Sequence, residues 1–202
     1  MTAKLKLGLG SLAVVFAMLS SATLTQAQPS NLVWKVQRVK PAVAVTDTVT
    51  REQSVLAEHL ASKYERPLGM VTRIVRAAYQ EAATIGLPPL LVLAIIEKES
   101  ALLPTAVNPS GAVGLMQVVP KYHSDQLRQV MHPDGLRNPE TNIRIGSRIL
   151  AKFIELRNGN VDQALRAYSG NSRSYPRSVN HFKRELEDVR SKVDTQGPTP
   201  SM

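Results

Sequence analysis

Glu99 closes a run that is otherwise almost wholly apolar: Pro88 to Ile96 reads PPLLVLAII, and Glu97-Lys98-Glu99-Ser100 follow. A glycine-punctuated stretch comes next, Gly111-Ala112-Val113-Gly114-Leu115-Met116-Gln117. A carboxyl at the C-terminal end of an apolar helix is disfavoured in its ionised form twice over, by desolvation and by the negative end of the helix dipole. Both effects raise its pKa. A carboxyl that keeps its proton near neutral pH can protonate a leaving oxygen, which is the first demand of glycosidic cleavage. Glutamates at helix ends are also common solvated surface residues. Glu97 is the rival acid. Two residues away, it lies on roughly the opposite face of the helix, so both cannot enter one cleft. Lys98 could neutralise either, and spacing alone does not choose between them.

The elements that must position these residues read as helices. Glu52 to Tyr64 is a short one. Met70, Val71, Ile74, Val75, Ala78, Ala82 and Ile85 recur at three- and four-residue steps and form one apolar face. Gly86 stops that helix, and Pro88-Pro89 begin the next, where proline fits the first turn. Leu90 to Ile96 is apolar all round, which predicts a central, buried helix. Ala101-Leu102-Leu103-Pro104 ends it. A further amphipathic helix starts near Pro139 and carries Ile143, Gly146, Leu150, Phe153 and Ile154. Asn160 is placed to cap another, with Gln163 at its third position and Val161, Ala164, Leu165 and Tyr168 on one face. Tyr175 to Arg190 forms a last, charged helix. The fold class is all-α, a compact bundle around the Leu90–Ile96 helix.

The ends read differently. Lys4 and Lys6 precede an uncharged run from Leu7 to Leu19, and Thr25 and Ala27 stand at −3 and −1 of a cut before Gln28. This is the pattern of a secretory signal peptide over residues 1–27. The apolar run is shorter than the roughly 20 residues that span a bilayer, so no integral membrane span is expected after cleavage. Residues 28–50, with Pro29, Pro41 and many Val and Thr, read as an extended arm. Residues 51–190 form the domain, and 191–202 a disordered tail. The chain has no cysteine, so it lacks the residue that a lipoprotein anchor needs and any disulfide. An exported protein without disulfides, held by packing alone, fits a bacterial periplasm. Net charge is +9 over the 202 residues. The basic residues are scattered without interleaved aromatics, which argues against nucleic acid as a partner and fits a basic surface or an envelope polyanion.

The order of residues after Glu99 is more specific than any of its parts. Glu99-Ser100 is followed by Ala106, by Asn108-Pro109-Ser110-Gly111-Ala112, by Gly114-Leu115-Met116-Gln117 and by Pro120. This resembles the soluble-type (SLT-domain) lytic transglycosylases, relatives of goose-type lysozyme. Asn138-Pro139-Glu140-Thr141-Asn142-Ile143 with Gly146, and Ala167-Tyr168 with Gly170, Tyr175 and Val179, are similar to two later blocks of that family. The likeness covers Leu90 to about Val179. One departure is Ser169, where the family usually has asparagine; the shorter side chain puts a sugar or backbone contact there in doubt.

The resemblance implies a lysozyme-like fold and names roles. Glu99 matches the catalytic acid/base, and Ser100 the serine that helps position acid or substrate. Met116 and Gln117 match residues lining the sugar groove. Tyr168 matches a tyrosine with its hydroxyl near the catalytic carboxyl, and Tyr175 is a further substrate-side residue. By type alone, Met116 after Gly-Leu is packing, and Asn142 is a buried structural hydrogen-bonding group. The implied substrate is peptidoglycan, cut between N-acetylmuramic acid and N-acetylglucosamine with an anhydro end formed. Envelope or secretion machinery is a candidate partner, in an enzyme that remodels the wall or opens it locally. A hydrolytic muramidase and a non-catalytic wall-binding factor are the alternatives. No metal or cofactor is implied, and His59, His123, His132 and His181 show no ligand spacing.

Overall fold

The computed structural model describes residues 49–127 and 133–195. The segment assigned to a signal peptide, nearly all of the 28–50 arm and residues 196–202 lie outside the described residues.

Helices account for nearly all regular structure among the described residues. In chain order they are α1 (Arg51–Lys63), α2 (Leu68–Ile85), α3 (Pro89–Ser100), the short α4 (Ser124–Leu127), α5 (Pro139–Leu156), α6 (Val161–Tyr168) and α7 (Tyr175–Thr195). Two 3-10 turns, Pro120–Tyr122 and Pro133–Arg137, flank α4. The all-α class and the buried central helix expected from the sequence are both present. α7 runs on to Thr195, past the Arg190 at which the sequence ends it and into the segment read as tail. Residues 191–195 hold no glycine or proline to stop the helix, although Lys192 is the one strong helix former among them. No helix among the described residues is long and apolar enough to cross a membrane.

Local signals place the ends. Thr50 accepts from the Gln53 backbone N–H while the Gln53 side chain accepts from the Thr50 N–H, a capping box that starts α1. Asn138 and Asn160 cap α5 and α6 by accepting from the backbone N–H of Thr141 and Gln163. Pro89 occupies the first turn of α3, where its missing N–H leaves nothing unsatisfied. Beyond Ser100 the chain reverses through Ala101 and Leu102, both left-handed with φ of 48° and 58°.

Every residue from Leu90 to Ile96 is buried. α3 packs against α7 and α2, while α2 also meets α1 and α5. Their apolar faces close around α3 with Leu56, Leu60, Ile74, Leu150, Leu165 and Leu186. Truncation in such a core, Leu93→Ala for example, costs about 3 kcal/mol. A smaller cluster of Val118, Leu136, Ile145 and Ile149 lies under the loop between α3 and α5. That loop is held by two single-residue antiparallel bridges, Val107 with Val113 and Val113 with Val118.

Candidate active site

α3 delivers two glutamates to opposite surroundings. Glu99, in its last turn, lines a cleft of about 640 Å³ walled by the 108–123 loop, α5 and the α6–α7 junction. Burial raises its pKa; the Tyr175 hydroxyl and the nearby Lys98 ammonium pull the other way without cancelling that rise. The Tyr175 O–H donates to Glu99 Oε1 at 2.5 Å. Tyr175 is itself buried at the start of α7, and burial together with the Glu99 charge drives its own pKa up, so it stays a donor.

Glu97 faces away from the cleft and is buried. Its Oε2 accepts from Lys63 Nζ at 3.0 Å and from the Tyr64 hydroxyl at 3.0 Å, while Oε1 has no partner among the described residues. Lys63 reaches on to Glu185 Oε2 at 2.7 Å, and His59 closes the chain on Glu185 Oε1 at 3.2 Å. Burial raises the pKa of Glu97, against the pull of Lys63 and Tyr64. This acid ties α1, α3 and α7 together and is shut off from the cleft.

The loop after α3 is pinned from several sides. Asn142, fully buried on α5, accepts from the Met116 N–H at 2.8 Å and donates to Val113 O and Leu136 O, both at 2.9 Å. Gly114 admits this asparagine: at φ +80°, a Cβ there would lie 2.2 Å from Asn142 Nδ2. Gly146 plays the same part for Met116, since a Cβ on it would meet Met116 Cβ at 2.6 Å. The Asn108 side chain accepts from the N–H groups of Ser110 and Ala112 and shapes the turn before the bridge.

The expected site residues divide accordingly. Glu99, Gln117, Tyr168 and Tyr175 line the cleft. Gln117, at φ 47°, spends its amide nitrogen on Gly114 O at 3.0 Å and Ala106 O at 3.3 Å, holding the loop as well as facing the cleft. Ser100 is off the cleft: its hydroxyl faces Leu115 O at 2.9 Å and Ile96 O at 3.1 Å, so it straps the loop to the helix end beneath Glu99. Met116 is absent from the cleft's lining. It is fully buried on Gly146, with Ser147 Oγ 3.7 Å from its sulfur, because the turn that exposes Gln117 drives the preceding side chain into the core.

Tyr168 lies near enough to Glu99 for that carboxyl's charge to help raise its pKa, but a different tyrosine makes the hydrogen bond to the carboxyl. Tyr168 donates to the Met116 carbonyl at 2.8 Å, and Tyr175 takes the carboxyl. The two rings stack with centroids 6.5 Å apart, and Phe153 meets Tyr168 edge-on at 6.5 Å. Ser169 lines the cleft but turns its hydroxyl back to Arg166 O at 3.0 Å.

Lys98, Tyr122, His123 and Phe153 also line the cleft and escape the sequence reading. Phe153 scores as core by periodicity, and the 3-10 turn bearing Tyr122 has no periodic signal to find. Among the described residues Glu99 is the one carboxylate in the lining. Glu140 pairs instead with Arg73, which lowers its pKa, and Asp162 accepts from Asn180. The arrangement can thus deliver one proton to a bound oxygen and take one back.

Residues 76–187, more than half of the chain, match the model of a family described as the transglycosylase SLT domain. Among solved structures, an inactive mutant of the lytic transglycosylase Slt from Pseudomonas aeruginosa is similar at 26% identity and a TM-score of 0.45. That match covers 58% of this chain and 22% of the other. The 70 kDa soluble lytic transglycosylase from Escherichia coli is similar at 20% identity and a TM-score of 0.45, over 73% of this chain and 29% of its own. The chain therefore spans less than a third of either of those proteins. Its helices, its Glu99 cleft and the family match agree, and the chain belongs to the transglycosylase SLT domain family.

Proposed function

We propose that this protein is a peptidoglycan lytic transglycosylase that cleaves the β-1,4 bond between N-acetylmuramic acid and N-acetylglucosamine. The observation that carries this reading is Glu99: a buried carboxyl of raised pKa, hydrogen-bonded by a neutral phenol, in a cleft whose described lining offers no second carboxylate. Glycosidases of the ordinary kind set two carboxylates across the scissile bond. With one, the nucleophile must come from the substrate.

Glu99 in its acid form protonates the glycosidic oxygen, and the bond to C1 of the muramic sugar breaks. The 2-acetamido group of the same sugar stabilises the cation that develops at C1. Glu99, now a carboxylate, takes the proton of the 6-hydroxyl as that oxygen bonds to C1. The 1,6-anhydro ring closes, no water is consumed, and Glu99 is protonated again. The Tyr175 hydroxyl favours the carboxylate form, so it aids the first transfer and fixes the carboxyl's orientation for the second. The cell wall as substrate implies action in the periplasm after export. Wall remodelling, or local opening of the wall for an envelope or secretion apparatus, is the biological use this reading carries.

The test is digestion of purified peptidoglycan by the wild type and Glu99→Gln, with product masses. Anhydro-muropeptides, each lighter by one water than the hydrolytic product, support the proposal. Reducing ends alone assign a hydrolytic muramidase. Binding to the wall with no soluble release assigns an assembly factor, the reading for which Ser169 leaves room.

A further inference from the structure

The backbone just past Glu99 takes a costly path. Ala101 and Leu102 both adopt left-handed angles, φ 48° and 58°, and neither is glycine, so each crowds its Cβ against the carbonyl that follows. Residues stay in this region where their surroundings leave them no alternative. Full burial in the core holds Leu102. Ala101 is held differently. Its carbonyl, turned out of the α3 ladder, takes no backbone N–H among the described residues and accepts from Arg66 Nε at 3.3 Å.

Local structure aims that arginine. α1 ends in a Schellman turn: Glu65 is left-handed at φ 51°, its N–H reaches Ser62 O at 3.4 Å, and the Arg66 N–H reaches Ala61 O at 2.9 Å. Pro67 follows and disfavours helical angles at Arg66. The backbone is thus fixed on both sides, and the half-buried side chain is carried to the end of α3. A guanidinium suits the place, since it keeps its charge at any working pH and meets the negative end of a helix. Arg66 precedes residues 76–187, so this grip comes from a part of the chain that the family match does not cover. It also differs from the grip on Glu97. There the Ala101 N–H bonds Glu97 O at 3.1 Å, so Lys63 and Tyr64 hold a turn that the helix ladder holds as well. Arg66 holds the carbonyl just beyond the ladder.

We propose that Arg66 is a positioning residue for Glu99: by holding the Ala101 carbonyl it fixes the last turn of α3 at the angle where the Glu99 carboxyl meets the Tyr175 hydroxyl. This rests on the reading of Glu99 as the acid and deepens it, by adding a residue that is absent from the cleft's lining.

The test is a double-mutant cycle between Arg66 and Tyr175 on the full chain, read by muropeptide release from sacculi and by NMR titration of labelled glutamate carboxyls. Arg66→Gln lowers the maximal rate by up to about tenfold, the worth of the Tyr175 bond that it disturbs, and leaves KM unchanged. The Glu99 titration moves to higher pH, as in Tyr175→Phe, because the hydroxyl holds that pKa down. On the Tyr175→Phe background Arg66→Gln adds nothing, since the bond it supports is already gone. Arg66→Lys, a donor of shorter reach, gives the same pattern at smaller amplitude and carries the cycle if Arg66→Gln does not fold, which circular dichroism reads. Lys63→Met loosens the fold without moving the Glu99 titration. Rate losses that add in full, a Glu99 titration that Arg66→Gln leaves in place, or an equal shift in Lys63→Met overturns the positioning role. Wild type that shows the coupled titration but releases nothing from sacculi sinks the catalytic reading and leaves the positioning standing.

Discussion

Glu97 and Glu99 share a helix and a side chain, and burial pushes both pKa values up. They differ in company. Glu97 has a lysine and a phenol on one oxygen and no opening to solvent. Glu99 has a neutral phenol on one oxygen and a cleft in front of the other. A raised pKa therefore does not distinguish the acid proposed to work from the one that holds the fold. Access does, and so does the kind of partner: a cation fixes one ionisation state, whereas a phenol leaves both states reachable.

The comparison can be broken most directly at Glu99. Glu99→Gln should lower the release of soluble muropeptides by at least about a thousandfold, within the range for loss of a general acid and base. Its circular dichroism should be unchanged. Retention of activity would move the acid elsewhere and erase the contrast.

Next in size is the other face. Lys63→Met leaves Glu97 and Glu185 without their shared cation, and removing one partner of a buried pair costs about 3 kcal/mol. Urea denaturation at pH 7 reads this, and activity per folded molecule should hold. A loss of activity with intact stability would mean that Glu97 serves the chemistry after all.

Tyr175→Phe sharpens the working side. The hydroxyl stabilises the carboxylate, so its loss raises the pKa of Glu99 further and moves the alkaline fall of the pH–rate profile to higher pH. The maximal rate should drop about tenfold, the worth of one hydrogen bond to a charged group. Tyr168→Phe should leave that alkaline limb in place, because its hydroxyl serves the Met116 carbonyl.

The smallest effect is on stability. A glutamate whose folded pKa is raised binds more protons in the native than in the unfolded state once the pH passes the unfolded value of about 4.3. Native stability then falls as pH rises through that window, and the loss is complete above the folded pKa. Glu99→Gln removes this decline. Melting curves of the variant and the wild type should agree near pH 4 and separate toward pH 7, with the inactive variant the more stable.

Much of this was legible in the chain. α3 could be read because apolar residues on all sides leave only a central position for it, and the ordered residues from Glu99 to Pro120 chose between the two glutamates. The partners of Glu97 could not be read. Lys63 lies 34 residues before it, and the Lys63–Glu185 contact spans 122. No local period reports such pairings. Tyr168 and Tyr175 were both visible as cleft residues, yet the destinations of their hydroxyls depend on where the Met116 carbonyl points, and that is set by Asn142 and Gly114. Met116 could be read as packing from its type, while the resemblance put it beside Gln117 in the groove; a sequence shows that Met and Gln are adjacent, not that a turn sends them to opposite sides.

The hydrogen bond between Tyr175 and Glu99 joins residues 76 positions apart, and Tyr175 opens the last helix. A ribosome that has reached residue 174 has made the acid but not the donor that aims it, nor the helix that shields the far side of α3. A chain cut before α7 carries Glu99 without the hydroxyl that aims it. The proposed cutting of sugar therefore depends on α7 having folded against α3, and such a chain should lose it.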